Sequence, residues 1–207
     1  MAIERDTPTG GVPVLRFEDV TFGYTETRFL LKEANFVVRK GLKLTLMGQN
    51  GAGKSTLFSL ITGEREINEG RIVKESDLKV AIAKQTIPHS QWEITVREFL
   101  VINLEKDEGK KVYDIDKRAI EFFQIVQLPI SFLDKKIKDL SGGQKGRLLI
   151  AEALIQKPDL LLLDEPTNNL DKDGIKLLTE FMKNYSGTVI VISHDEKIGR
   201  ASCRERV

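Results

Sequence analysis

Alternating and continuous apolar stretches divide the predicted strands into two kinds. Residues 14–22, VLRFEDVTF, alternate apolar and polar side chains as a half-buried strand does, and the stretches 34–38 and 42–47 also favour strands. Further along, LLLL at 160–163 and TVIVI at 188–192 are apolar without interruption. Strands of this second kind are typical of a parallel sheet that helices cover on both faces.

Helical patterns lie between these strands. Residues 54–63, KSTLFSLITG, predict a short helix that ends at its glycine, and residues 142–156 predict a helix that stops before a proline. Apolar positions at 95–126 recur with helical spacing, and a further helix is expected over 172–184. Strands that alternate with helices predict an α/β fold, in which residues 86–150 form a mostly helical insert.

Composition restricts the classes of protein that fit this pattern. The 207 residues include 32 basic and 31 acidic side chains, and 41% are hydrophobic, as in an ordinary globular domain. A net charge of +1 gives no reason to expect nucleic-acid or membrane binding, and the apolar runs are too short to cross a bilayer. The first residues do not resemble a signal peptide, and Cys203 is the only cysteine. We therefore expect a cytoplasmic protein without direct membrane insertion.

A glycine-rich loop between a predicted strand and a predicted helix is the strongest local motif. The stretch GQNGAGKST fits the pattern G-x-x-x-x-G-K-[ST]. Its glycines let backbone N–H groups surround a phosphate, and the following helix directs its positive end at the same anion. Lys54 would contact the outer phosphates, and the hydroxyl of Ser55 would coordinate Mg²⁺. The expected nucleotide-binding residues of this loop are Gly48, Gln49, Asn50, Gly51, Ala52, Gly53, Lys54, Ser55 and Thr56.

Two adjacent carboxylates follow the leucine strand. Asp164 and Glu165 come directly after LLLL, at the carboxyl end of the strand, where ligands bind in open α/β sheets. Asp164 could hold the Mg²⁺ ion, while Glu165 could orient or deprotonate an attacking water. Phosphoryl transfer needs mainly positioning and charge neutralisation, so the loop and the two carboxylates together predict that chemistry.

Further motifs carry a family resemblance. LSGGQKGR at 140–147 resembles the signature motif of ATP-binding cassette (ABC) proteins. Tyr24 resembles the aromatic residue that stacks on adenine in that family, and Gln85 is similar to the Q-loop glutamine, which touches metal and water. NNLD, ending at Asp171, resembles the D-loop, and His194 resembles the switch histidine, which would bond the γ-phosphate.

The resemblance covers about residues 13–195 and implies both a fold and a site. The implied fold is an α/β P-loop NTPase (RecA-like) core with a mixed sheet, antiparallel β elements near the N-terminus and the helical subdomain at 86–150. The implied cofactors are ATP and Mg²⁺. The catalytic residues would be Lys54, Gln85, Glu165 and His194, and the metal ligands would be Ser55, Gln85 and Asp164.

The resemblance also implies a partner. In the family, ATP lies between the phosphate loop of one cassette and the signature of another, so a second cassette is expected, on the same chain or as a dimer partner. A single cassette should then bind ATP but hydrolyse it weakly. The residues that would contact the partner's nucleotide are Ser141, Gly142, Gly143 and Gln144.

Three kinds of protein share such a cassette. ABC-F proteins typically carry Thr-Asn-His-Leu-Asp or Thr-Asn-Asn-Leu-Asp where this chain has Asn168 and Asn169, whereas transporter cassettes more often carry small residues there. Gly146 stands where transporters commonly have Gln. A chromosome or repair ATPase would place a long coiled coil between Gln85 and Ser141, which the spacing excludes. An ABC-F protein that acts on the ribosome is therefore favoured, and the ATPase subunit of a membrane transporter is the alternative.

The two ends of the chain lack the apolar patterns of the cassette. Residues 1–12 are polar and are expected to form a flexible arm, and the cassette is expected to run over 13–197. The stretch IGRASCRERV at 198–207 has no apolar period, and its back-translation resembles read-through of a sequencing adapter. We therefore expect residues 198–207 to be a non-native tail on a cassette that is cut short near Lys197.

Overall fold

The computed structural model describes residues 11–25, 28–48, 51–109, 111–168, 170–193 and 205–206. Its strands are β1 (Pro13–Thr25), β2 (Arg28–Arg39), β3 (Lys43–Leu46), β4 (Glu69–Lys74), β5 (Val80–Ala83), β6 (Leu160–Asp164), β7 (Thr188–Ile192) and β8 (Glu205–Arg206). Its helices are α1 (Lys54–Thr62), α2 (Val96–Glu108), α3 (Ile115–Ile125), α4 (Gly142–Ile155) and α5 (Lys172–Asn184).

The strands form two sheets with different pairing. β1 lies between β2 and β4 and is antiparallel to both. The second sheet has the order β5-β6-β7-β3-β8, and each of its pairs is parallel. The predicted α/β class with antiparallel elements near the N-terminus is therefore confirmed.

Each face of the parallel sheet packs against its own hydrophobic cluster. Leu161 and Leu163 of β6 face a cluster that includes the buried residues of α2, α3 and α4. Leu160 and Leu162 face the opposite way, into a cluster with α1 and the antiparallel sheet. All four leucines are fully buried, as the uninterrupted apolar run predicts for a strand covered on both faces.

The helical insert follows the predicted pattern with one interruption. The stretch expected to be helical over 95–126 consists of two helices, because α2 ends at Gly109, which has a left-handed φ of 65°. α4 begins after Ser141, as the spacing predicts, and its buried residues pack against α3 and β5. None of the described helices is long and apolar enough to span a membrane.

The predicted boundaries at the chain ends stay predictions. Residues 1–10 and 194–204 lie outside the described residues, and Glu205–Arg206 pair with β3 at the edge of the parallel sheet. The expected origin of residues 198–207 is a question about the source of the sequence, which this pairing does not address.

Candidate functional site

The order of the parallel strands brings the predicted residues to one edge of the sheet. Carboxyl ends of parallel strands point the same way, so the residues that follow β5, β6, β7 and β3 share an edge. Across that edge Asp164 is in register with Ile192, and Ile192 with Leu46. Gln85 therefore lies on one side of the carboxylates, and the loop that starts at Gly48 lies on the other side, beyond β7.

The lysine of the phosphate loop is buried and hydrogen-bonded to the loop's own backbone. Lys54 is only 8% exposed, and its Nζ donates to the carbonyl of Gly48 over 2.7 Å. Gly53 precedes α1 with a φ of 87°, a left-handed conformation that few side chains tolerate. A buried cation inside a glycine loop is the arrangement that a phosphate group would complete.

The first turn of α1 faces the same loop. Its N-cap position is Gly53, which has no side chain to cap the first N–H groups, so a bound anion could accept from them. Ser55 is exposed in this turn, whereas Thr56 is buried beside it. Gly51 and Ala52 of the predicted loop are exposed, and Gln49 and Asn50 lie outside the described residues.

Tyr24, the predicted base-stacking residue, lies beside this turn. Tyr24 is 53% exposed, and its hydroxyl is hydrogen-bonded to that of Thr56. Phe22 packs edge-on against Tyr24 with 5.4 Å between ring centroids, and the Arg65 guanidinium lies 5.7 Å from the Tyr24 centroid. The ring is thus held in place while much of it stays open to a planar ligand.

The two carboxylates after β6 have different surroundings. Asp164 is half-buried, and the side-chain amide of Gln85 donates to its Oδ1 over 3.4 Å. Glu165 is 7% exposed and has a φ of 49°, a conformation that is costly for a residue with a side chain. Its backbone N–H donates to Ile192 on β7, which fixes the turn that presents the carboxylate.

The oxygen donors at this edge fit Mg²⁺ in chemical type. The Ser55 hydroxyl, the Asp164 carboxylate and the Gln85 side-chain amide are hard ligands of the kind that Mg²⁺ takes in proteins. Among the described residues, no group of three or more His, Cys, Asp or Glu side chains could hold a metal by itself. These residues fit an ion held partly by phosphate oxygens and water rather than by an all-protein cage.

The signature stretch begins α4 with a capping box. The Gln144 backbone N–H donates to the Ser141 hydroxyl over 3.3 Å, and the Ser141 backbone N–H donates to Gln144 Oε1 over 2.9 Å. Ser141 and Gly142 are exposed, and Gly143 is partly exposed. The start of α4 is therefore both fixed and accessible, as the contact with a partner's nucleotide would require.

A salt bridge that the sequence analysis missed joins this helix to the D-loop stretch. Arg147 of α4 donates to Asp171 Oδ1 over 2.9 Å, and the same oxygen accepts from the Gly174 backbone N–H over 2.8 Å, which caps α5. The Gly174 N–H and the Arg147 guanidinium hold the pKa of the Asp171 carboxyl below its ordinary value. An aspartate before a helix signals the cap, but no sequence pattern identifies its arginine partner.

Two further predicted residues cannot be placed. His194 and Asn169 lie outside the described residues, so their roles stay predictions. Ser193, directly before His194, is fully buried at the end of β7, and its hydroxyl lies 3.5 Å from that of Thr167.

Comparisons with known proteins agree on one family. A sequence model described as the ABC transporter family matches residues 31–168. ATP-binding protein Uup of Buchnera aphidicola is 32% identical over 93% of this chain. ABC transporter F family member 4 of Dictyostelium discoideum is 34% identical over 90% of this chain. Energy-dependent translational throttle protein EttA of Escherichia coli is 35% identical over 81% of this chain.

The chain spans only part of those relatives. It covers 32% of the Uup protein, 16% of the Dictyostelium protein and 36% of EttA. Among solved structures, a dimeric ATP-binding cassette in a post-hydrolysis state, bound to ADP and Pi, is similar with a TM-score of 0.74 and 28% identity. That likeness covers 90% of both chains.

Proposed function

This chain belongs to the ATP-binding cassette family, and we propose that it binds ATP with Mg²⁺ and hydrolyses it at a site shared with a second cassette. The whole protein would be a cytoplasmic ABC-F type ATPase that acts on the ribosome. The observation that carries the proposal is the sheet edge on which the Lys54 loop, Asp164 and Gln85 lie together.

Each residue at the edge would act on the triphosphate in a distinct way. Lys54 and the N–H groups at the start of α1 bind the outer phosphates and neutralise charge that develops on them. When bound, Mg²⁺ supplies further charge neutralisation at the phosphates, and Ser55, Asp164 and Gln85 would hold it. Glu165 orients the attacking water and accepts its proton, and Tyr24 stacks on the base.

The position of the signature supports a shared site. α4 packs against β5 and β6, whereas the phosphate loop follows β3, which is separated from β6 by β7. Neighbouring strands lie about 4.8 Å apart, so β6 and β3 are separated by about 10 Å across the sheet. The helix α1, which follows the phosphate loop, packs on the face of the sheet opposite to α4, so another cassette could present the exposed start of its α4 to a nucleotide on this loop. The solved relative with ADP and Pi is itself dimeric.

Ribosome action is supported by the relatives and by the NNLD stretch. EttA is described as a translational throttle, and the chain matches it with 35% identity. A transporter subunit is the competing function, which the solved cassettes from transporters favour. The sequence relatives named above nevertheless include an F family member, and the asparagines at the D-loop are those expected of that branch.

Loss of Lys54 tests nucleotide binding. Replacing it with alanine removes a charge-assisted contact to phosphate, so the affinity for Mg-ATP should fall about tenfold or more. Isothermal titration calorimetry measures this change, and Lys117→Ala, an exposed lysine on α3, is the matched control. Equal ATP affinity in wild type and Lys54→Ala would refute the proposed site.

Ribosome binding is tested with a variant that should stay in its ATP-bound state. Glu165→Gln keeps the shape of the side chain but cannot accept a proton, so bound ATP should persist. With ATP present, this variant should cosediment with ribosomes more strongly than Lys54→Ala does. Equal sedimentation of the two variants, together with ATP-dependent binding of Glu165→Gln to a membrane-embedded partner, would favour the transporter function instead.

A further inference from the structure

Trp92 has contacts that the proposed hydrolysis does not use. This residue, the single tryptophan of the chain, lies partly buried after the stretch that begins at Gln85. Its ring stacks on that of His89, with 4.0 Å between centroids, and its Nε1 donates to the carbonyl of Ile87 over 3.2 Å. Lys145 of α4 places its Nζ 3.8 Å from the Trp92 centroid. The indole therefore joins the Gln85 side of the insert to the signature helix.

The backbone around Trp92 is fixed to the segment that leads into the signature. The Lys138 N–H donates to the Trp92 carbonyl over 3.0 Å, and the Ile137 N–H donates to Ile94 over 3.1 Å. Glu93 accepts from Lys138 over 2.9 Å and forms an ion pair with Lys136 at 3.3 Å. The segment of Trp92 is thus hydrogen-bonded to the residues that precede the signature.

Lys145 occupies a position where its charge is unfavourable. It lies in the first turn of α4, where the helix dipole is positive and the structure has no acidic residue. The face of an indole carries negative charge density and is the best aromatic partner for an ammonium group. Contact with Trp92 therefore stabilises a cation that the helix itself disfavours, and it holds the first turn beside the Trp92 segment.

We propose that Trp92 and Lys145 are positioning residues, which hold the exposed start of α4 in a fixed place relative to Gln85. The inference rests on the proposed shared site, since Ser141 and Gly143 of this turn would meet the partner's nucleotide. This contact joins the segment after Gln85, which would lie at the chain's own nucleotide, to the signature, which would serve the partner's nucleotide.

Hydrogen exchange without nucleotide tests the contact directly. In Lys145→Met the cation is lost while the apolar stem remains, so the amides of residues 144 and 145, which are hydrogen-bonded to Ser141 in the first turn of α4, should exchange roughly three- to tenfold faster. Lys145→Arg should restore slow exchange. The matched control is Lys135→Met, because Lys135 makes the same kind of contact, 3.8 Å from the centroid of Phe132, with a ring outside α4. If Lys145→Met exchanges no faster in this turn than Lys135→Met, the proposal is wrong.

ATP turnover supplies the second readout. Because the signature acts on the partner's nucleotide, Lys145→Met should lower turnover while the ATP affinity of its own phosphate loop stays unchanged. A loss of ATP affinity as large as the loss of turnover would overturn the positioning role. Failure of the proposed function itself would be seen separately, as equal ATP binding by wild type and Lys54→Ala.

Discussion

Two glycines give the phosphate loop its shape, and their surroundings differ. Gly51 and Gly53 both have left-handed backbones, with φ of 80° and 87°. A Cβ on Gly51 would meet nothing within 4 Å, whereas a Cβ on Gly53 would lie 2.0 Å from Cδ1 of Leu30. Gly51 is therefore needed for its conformation alone, while Gly53 also makes room for β2 to approach the loop.

This difference predicts unequal effects of alanine. Gly51→Ala should lower the free energy of unfolding by about 1–2 kcal/mol, the cost of a left-handed residue with a side chain. Gly53→Ala should cost more, because Leu30 must also move. Urea denaturation measures both variants, and Leu30→Ala should reduce the cost of Gly53→Ala to about that of Gly51→Ala. Equal costs in the wild-type background would contradict the close approach of Leu30.

Helices and strands were predictable where the apolar pattern or the end residues of the element itself indicate them. The limits of α5 match the predicted 172–184, and β6 and β7 match the two continuous apolar stretches. β2 is longer than the predicted 34–38, because its first half, which is exposed apart from Leu30 and Leu31, is held by pairing with β1. The break between α2 and α3 depends on one glycine, Gly109, which the apolar spacing alone did not reveal.

Contacts between distant elements were beyond such prediction. The site residues were found because their motifs are contiguous, and strand order then brought the motifs to one edge. Two contacts of the signature helix depend on how elements pack, and no local sequence pattern predicts them. They are the contact of Lys145 with Trp92 and the salt bridge of Arg147 with Asp171. Both pairs link the signature helix to its neighbours.

The cap of α5 predicts a pH dependence. The pKa of Asp171 is lowered in the fold by the Gly174 N–H and by Arg147, so its carboxylate stabilises the fold at pH values above its unfolded pKa of about 4. That stabilisation is lost as the pH falls through the lower, folded pKa. The melting temperature of Asp171→Ala should therefore lie below that of wild type at neutral pH, and the gap should shrink on acidification below about pH 4.

Thermal melts at a series of pH values measure this gap. Asp173→Ala is a suitable control, because that residue lies in the same first turn of α5 but does not occupy the cap position. A gap that stayed constant, or grew, as the pH fell would contradict the assigned role of the carboxylate.

At the scale of the whole molecule, the parallel sheet separates two surfaces that carry predicted functional residues. The face with α1 and the antiparallel sheet supports the phosphate loop and Tyr24, and the opposite face carries the insert with the signature. Each cassette would therefore offer a phosphate loop to one site and a signature to another, and two cassettes would complete two sites between them. Dependence of hydrolysis on a second cassette is the central claim of this account.

Mixing two inactive variants tests that claim most directly. Lys54→Ala keeps an intact signature and Ser141→Arg keeps an intact phosphate loop, so each alone should hydrolyse little ATP. An equal mixture should recover roughly a quarter of wild-type turnover, because half of the randomly formed pairs are mixed and each holds one intact site of two. Wild-type turnover per chain should also rise with chain concentration. A mixture no more active than its components, with wild-type turnover independent of concentration, would contradict the shared site.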